Sequence, residues 1–350
     1  MPDLSNADSF ISEMMYWHFS QQTGSPFWLK QKPNLHFDPI KDVKTVADLC
    51  LFTDMKDELR NIHIEDLRPG GLPQNLPYGV YESGGTTGSP KRIIVYDEWL
   101  DQLIDWRLQG HHPEPGDNTL AMVPTGPHLV GTINQLRAKA LGGSFFSIDL
   151  DPRWVKKMIA RGYTGMVEEY SEHLLDQAED IVYSQKIKYL ITTPPLLARI
   201  ARRKKLVETL NTSLKLITWG GTQMDIDTLE YLRDQIFTNV PITASYGNTM
   251  MLCEAKARLE DSFNGAPIFD PFAPYVMINI VDDQNHKPVA YGNRGRVQVH
   301  HVSRYAFYPN MLERDTAVRI EGVKGQTGDS LADIRPVMEV SDQPVIEGVY

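Results

Sequence analysis

Residues 83–91 read Ser-Gly-Gly-Thr-Thr-Gly-Ser-Pro-Lys, a set of residue types suited to holding phosphate. Glycines allow successive backbone N–H groups to converge into a concave anion nest; Ser83, Thr86 and Thr87 add hydroxyl donors, and Lys91 adds a compact positive charge. A Walker-type loop would need G-x-x-x-x-G-K-[ST] running into a helix whose N-terminus holds the phosphates. Here Gly88 is followed by Ser89 and Pro90 before Lys91, and Arg-Ile-Ile-Val-Tyr continues with a β-branched strand pattern. The stretch is therefore expected to be a hairpin tip that grips a polyphosphate through Ser83, Gly84, Gly85, Thr86, Thr87, Gly88 and Lys91. Such a composition standing alone more often marks an ordinary turn, so the rest of the chain must supply the other parts of a nucleotide site.

Other chemistries find little support. The adjacent pairs His111–His112 and His300–His301 would point to opposite faces of a strand, which suits structural or exposed positions better than a metal. Two cysteines, Cys50 and Cys253, cannot build a disulfide framework or a thiolate zinc site. Neither a G-x-S-x-G elbow nor a G-x-G-x-x-G after a strand is present, which removes the serine-hydrolase and dinucleotide-reductase classes. Asp149 and Asp151 are expected in a turn, and the basic run 199–205 on the solvated face and last turn of a helix. A formal charge of −10 disfavours nucleic-acid binding, which needs many phosphate-neutralising side chains. No apolar run of signal-peptide length opens the chain, and no stretch of about 20 apolar residues occurs, so the expectation is a cytoplasmic protein without a membrane partner.

The elements that would position the loop follow from periodicity. Residues 7–20 have helical spacing, with Phe10, Ile11, Met14, Met15, Trp17 and Phe19 on a wide apolar face. Proline-rich loops are expected over the next sixty residues or so. From residue 78 strands and helices alternate: strands at Tyr-Gly-Val-Tyr-Glu and Arg-Ile-Ile-Val-Tyr flank the loop, a helix starts near Asp97, and the alternation runs on to Pro-Ile-Thr-Ala-Ser-Tyr-Gly at 241–247. Short β-like runs dominate after about residue 270. The fold class is α/β with a β-rich subdomain, spanning 1–321, and 322–350 shows no apolar period.

Further segments, taken in order, resemble the motifs of the adenylate-forming superfamily: the loop at 83–91, Pro-Thr-Gly-Pro-His-Leu-Val-Gly at 124–131, Thr-Trp-Gly-Gly-Thr-Gln-Met at 218–224, Ala-Ser-Tyr-Gly-Asn-Thr-Met at 244–250 and Glu-Arg-Asp-Thr at 313–316. The resemblance implies the layered αβαβα N-terminal domain of that fold, with ATP and Mg2+ as cofactors. It implies His128 as an aromatic gate at the acid pocket, Gly220, Gly221 and Thr222 bordering adenine, and Tyr246 stacked on adenine within Ala244, Ser245, Tyr246, Gly247 and Asn248. Thr249 would touch the α-phosphate, Asp315 the ribose, and Lys91, Thr249 and His128 would serve catalysis. Trp219 suits the acid pocket and a packed strand end equally. The spelling of 25–29, 80–93 and 313–320 is similar to the phenylacetate-CoA ligase branch, which implies an aromatic carboxylic acid. It is closer still to truncated adenylating members of phenazine antibiotic biosynthesis, the griseoluteic acid type, which implies a phenazine carboxylate activated before reduction or transfer.

Two departures bear on the chemistry. The superfamily follows Tyr-Gly-x-Thr with a glutamate that helps hold magnesium, whereas this chain has Met250, a thioether unsuited to a hard cation. Thr87 and Glu254 are the remaining candidates for the metal, Glu254 on condition that the backbone there is helical. The resemblance also implies a C-terminal domain with a catalytic lysine, whereas 322–350 resembles only a degraded hinge with Asp329. The expected consequence is slow adenylation, or a catalytically weak ATP- and aryl-acid-binding protein completed by a lysine-donating partner or served by a reductase.

Overall fold

The computed structural model describes residues 7–83, 90–109 and 114–337. In chain order the first elements are helices α1 (Ala7–Phe19), α2 (Pro26–Gln31) and α3 (Pro39–Asp42), strands β1 (Tyr78–Glu82) and β2 (Arg92–Tyr96), and helix α4 (Asp97–Arg107). The middle holds β3 (Asn118–Ala121), α5 (Leu129–Ala140), β4 (Phe145–Ser147), α6 (Pro152–Ala160), α7 (Thr164–Ser184), β5 (Ile187–Thr192), α8 (Pro194–Ile200), α9 (Lys204–Ser213), β6 (Leu216–Gly220), α10 (Ile226–Tyr231) and β7 (Ile242–Asn248). The last part is all strand: β8 (Cys253–Phe263), β9 (Ala266–Asp270), β10 (Val276–Val281), β11 (Arg294–Val302), β12 (Phe307–Ile320) and β13 (Ser330–Pro336). The class is mixed α/β, as the alternation predicts. Two compact units result: one from the chain up to Leu103 with Asn248–Ala255 and Ile268–Val337, the other from Ile104–Gly247 with Lys256–Pro267.

In the first unit α1 buries Phe10, Ile11, Met14, Met15 and Phe19 of the expected face and also His18, whereas Trp17 is only half-buried and donates Nε1 to Arg304 O at 2.8 Å. Phe19, Trp28 and Phe52 close around Phe307 of β12 with ring centroids 5.1–5.7 Å away. Directional bonds fix the packing: Trp28 Nε1 donates to Phe307 O at 3.0 Å, and His18 Nε2 to Ser303 O at 2.7 Å. The expected loops after α1 contain short helices instead. Ser25 and Asp38 accept the N-terminal N–H bonds of α2 and α3 from Trp28 and Ile40, and Pro26 and Pro39 follow each cap, so these prolines start helices.

The same unit holds an antiparallel sheet in the order β10-β11-β12-β13-β9 and a separate β1–β2 hairpin, with Glu82 opposite Arg92. Strand β13 lies where the sequence shows no useful period. It is brief, and Leu331 and Ala332 are fully buried between β12 and β9, so it has little room for alternation. Asp329 leads into it, accepting from Arg319 Nε at 2.9 Å and Ile280 N at 3.1 Å. Within β12, Glu313, Arg314 and Asp315 stand opposite the single Val297 of β11, an extra-residue bulge. Bulges of this kind bend the strand and re-aim its side chains.

The second unit carries a parallel sheet in the order β4-β3-β5-β6-β7. Helix α7 packs on α6, α8 and α9, and α5 on β3 and β4. Asp149 and Asp151 were expected in a plain turn; Asp151 is the N-cap of α6, accepting from Arg153 N and Trp154 N, with Pro152 at the first helical position. The basic run 199–205 straddles the break between α8 and α9 and is paired. Arg199 binds Glu168 and Glu172, and Arg203 binds Glu172, Asp176 and Glu179 of α7. These carboxylates, against the cost of burial, raise the Arg203 pKa above its ordinary value.

Candidate functional site

The base of the glycine loop is closed by its two described ends. Lys91 N donates to Ser83 Oγ at 2.9 Å, and Ser83 N donates to Lys91 O at 3.0 Å, continuing the β1–β2 ladder. Gly84, Gly85, Thr86, Thr87 and Gly88 lie outside the described residues. Beyond the clasp, Lys91 is half-buried, and burial pulls its pKa below the usual ammonium value; the nearby Glu313 carboxyl opposes that shift, while Arg60 and Lys56 add to it.

Glu313 belongs to the β12 bulge and was not among the expected site residues. Its Oε1 is closed off from solvent with no hydrogen-bond partner among the described residues, and burial together with the Asp315 charge pushes its pKa up to about 7, against the pull of Lys56 and Lys91. The loop before it is latched to the strand: Leu312 N donates to Asp54 Oδ2 at 3.2 Å, Lys56 Nζ donates to Leu312 O, and Lys56 pairs with Asp54 at 2.8 Å. Lys91 and Asp315, assigned to phosphate and ribose by motif, thus both act on one buried carboxyl. The signal for Glu313 was its place two residues before Asp315, on the same motif.

After β7 the chain makes a tight turn. Asn248 Oδ1 accepts from Met250 N at 2.9 Å and Met251 N at 3.0 Å, so its side-chain oxygen is spent on the turn that presents Thr249. Trp99 Nε1 donates to Leu252 O at 2.7 Å and anchors the far end. Met250 is buried, and the condition for Glu254 as a metal ligand fails: Glu254 lies in strand β8, not a helix. Thr87 lies outside the described residues, and among those described no group of three or more His, Cys, Asp or Glu side chains could hold a metal ion. Glu254 thus lacks the local conformation on which its candidacy for magnesium depended.

In the second unit the glycine pair ends β6. Trp219 is in register with Ala244 and Gly220 with Ser245, and Gly221 turns the chain with φ +83°. Thr222 follows in the turn, and Tyr246 and Gly247 continue β7, Gly247 being exposed. A Cβ on Gly220 would lie 2.7 Å from Ser245 O, a backbone atom that cannot swing aside. Gly220→Ala is therefore expected to destabilise the chain by about 1–3 kcal/mol through overpacking. A thermal melt that matched the parent would contradict this close approach. His128 is the N-cap residue of α5, half-exposed, with no capping bond from its ring. Trp219 is buried, and its Nε1 has no hydrogen-bond partner among the described residues.

No family model and no curated protein matches the sequence. Solved structures do. A 2-hydroxyisobutyryl-CoA ligase in an open conformation, in complex with 2-HIB-AMP and CoA, matches 95% of this chain and 74% of its own at 14% identity and TM-score 0.62. The same ligase in the thioesterification state matches 95% and 67% with TM-score 0.63. The chain therefore shares the fold of this CoA ligase over nearly its whole length. McyG A-PCP complexed with phenylalanyl-adenylate is a more distant neighbour, with TM-score 0.50, 14% identity, and 76% and 48% of the two chains covered. At such identities the likeness speaks for the fold alone.

The buried histidine pair is structural, in keeping with its strand position. His300 Nδ1 accepts from Asn310 N at 3.0 Å, and His301 Nδ1 donates to Met251 O at 2.9 Å, on opposite sides of β11. The pair His111–His112 lies outside the described residues. No helix among the described residues is long and apolar enough to cross a membrane.

Proposed function

We propose that this protein adenylates an aromatic carboxylic acid with ATP, a phenazine carboxylate of bacterial antibiotic biosynthesis, ahead of reduction or transfer of the acyl group. The observation that supports it most is the clasp of Ser83 and Lys91 at the base of the donor-rich loop, with Lys91 sharing the neighbourhood of the bulge that bears Asp315. The likeness in fold to a ligase solved with an acyl-AMP supports the same reaction class.

In the reaction a carboxylate oxygen attacks the α-phosphorus of ATP in line, forming the acyl–O–AMP bond while the bond to pyrophosphate breaks. Little covalent work falls to the protein, so positioning and fixed positive charge must account for the rate. The loop 83–91 holds the leaving phosphates, Lys91 neutralises charge that accumulates on them, and Thr249 orients the α-phosphate. Asp315 accepts hydrogen bonds from the ribose hydroxyls, Tyr246 stacks on adenine beside Gly220 and Gly221, and His128 gates the acid.

The test is acid-dependent exchange of labelled pyrophosphate into ATP, run with a panel of aryl acids that includes phenazine carboxylates. Exchange with an aryl acid is expected; binding of ATP and acid without exchange would leave a binding protein only, and no nucleotide binding would end the reading. Asp315→Ala is expected to weaken ATP binding about 10–100-fold, the scale of hydrogen bonds to a charged group. Calorimetric titration checks it, and unchanged affinity would remove the ribose assignment.

A further inference from the structure

The carboxyl edge of the parallel sheet in the second unit contains polar atoms that no other described residue uses. Thr192 at the end of β5 is in register with Trp219 of β6, which is in register with Ala244 of β7. Registered residues on neighbouring parallel strands project to one face, so these three side chains form a row. Met122, just past β3, extends it, with Met122 N donating to Ile191 O at 2.7 Å. All four are buried, Thr192 completely and Trp219 to 6% exposure.

Within this apolar row, Thr192 Oγ1 and Trp219 Nε1 are buried without a hydrogen-bond partner among the described residues. Thr193 adds a third such atom. It occupies the N-cap position of α8 yet makes no capping bond, and its Oγ1 is buried and unpaired. Buried polar groups are nearly always satisfied, and leaving them unmade is costly, so several together at one sheet edge call for a ligand. The carboxyl ends of parallel strands are where open α/β sheets bind small molecules. An indole N–H only donates, whereas a threonine hydroxyl donates or accepts, so the complementary group must be an acceptor.

We propose, resting on the adenylation reading, that Thr192 and Trp219 select an aromatic acid bearing a hydrogen-bond acceptor, a ring nitrogen or a carbonyl oxygen, on its ring system. An all-carbon ring of the same shape leaves Trp219 Nε1 and Thr192 Oγ1 unpaired in the complex, while an acceptor-bearing ring satisfies them. Sites built to hydrogen-bond a substrate group discriminate strongly against the analogue that lacks it.

The experiment is calorimetric titration of the full chain, with ATP present, against matched acids: phenazine-1-carboxylate with anthracene-1-carboxylate, and quinoline carboxylates with naphthoates. Acceptor-bearing acids are expected to bind at least tenfold more tightly than their carbocyclic partners. Thr192→Val and Trp219→Phe should each shrink that ratio at least threefold. Because the hydroxyl has no internal partner, Thr192→Val should also melt at the parent temperature or above. Equal affinities in the parent, a ratio that survives both substitutions, or a clear drop in the Thr192→Val melting temperature would each overturn the proposal. Aryl acids that exchange pyrophosphate without any such preference would sink this inference and spare the adenylation reading; a chain that binds neither ATP nor acid would sink both.

Discussion

Acidification from pH 7 to pH 4 is expected to strip most of the stability from the unit that holds Lys91 and Asp315. Three histidines there are buried and uncharged. Burial lowers the pKa of His18, His300 and His301 to about 4 in each case, with Ser303 O and Met251 O partly opposing the shift at His18 and His301. A folded pKa below the ordinary 6.5 means that the unfolded chain binds the proton first, so the stability of these groups is complete above about pH 6.5 and is lost as pH falls toward 4. Each shift corresponds to about 3 kcal/mol, or on the order of 10 kcal/mol for the three. Glu313 acts the other way. Its folded pKa of about 7 lies above the ordinary 4.5, so its contribution is present below pH 4.5 and lost as pH rises through 7. Acid therefore returns about 3 kcal/mol, leaving a net loss of about 7 kcal/mol, comparable with the whole stability of a typical domain.

The geometry explains why the charge is so poorly tolerated. His300 Nδ1 accepts the Asn310 N–H, so a proton there breaks an existing bond. His301 already spends Nδ1 on Met251 O and has Ser303 Oγ 2.9 Å from Nε2. Denaturant melts recorded at intervals from pH 7 to 4.5 should lose stability with a slope equivalent to uptake of about two protons, three by histidine less one released by Glu313. A flat profile over that range would show that the histidines are not held neutral by the fold.

Replacing Lys91 with alanine is expected to lower acid-dependent pyrophosphate exchange by about 10²–10³-fold, the cost of removing one preorganised charge-stabilising donor. The effect should fall mainly on kcat, because the charge on the leaving pyrophosphate grows during bond breaking. Lys91 is not a neutral deletion for the fold, since its ammonium balances Glu313 and its own pKa is depressed by burial. Lys91→Ala/Glu313→Gln restores that balance without restoring a cation. Exchange that stays low in the double variant assigns the loss to phosphate chemistry, whereas recovery would assign it to the unpaired carboxyl.

How much of this was legible beforehand varies with the physics of each part. The hairpin around residues 83–91 and the strands and helices from 97 to 248 were visible because each has its own period and punctuation. Helices α2, α3 and α6 were not: loops were expected around Pro26 and Pro39 and a turn at Asp149 and Asp151, whereas Ser25, Asp38 and Asp151 cap helices there that proline begins. Strand β13 owes its state to neighbours on both sides and to almost nothing in its own seven residues. At the site, Lys91 was legible from the residue types of the glycine loop and Asp315 from the resemblance of its motif, whereas the Glu313 carboxyl and the hydroxyls at Thr192 and Thr193 depend on burial, which spacing does not reveal. The glutamate proposed for magnesium failed on local conformation, as Glu254 lies in a strand.

The packing of Phe19, Trp28 and Phe52 around Phe307 also sets a timetable for synthesis. The middle unit is nearly contiguous in sequence, so Ile104–Gly247 can collapse while translation continues. The first unit cannot. Phe19, Trp28 and Phe52 touch one another, but their cover by Phe307 and the Asp54–Leu312 latch wait until the ribosome has delivered β12 more than 250 residues later, roughly 10–50 s at ordinary elongation rates. During that interval the aromatic cluster of α1, α2 and Phe52 lacks the strand that completes it, so the first unit can finish its core only after the middle unit has been made.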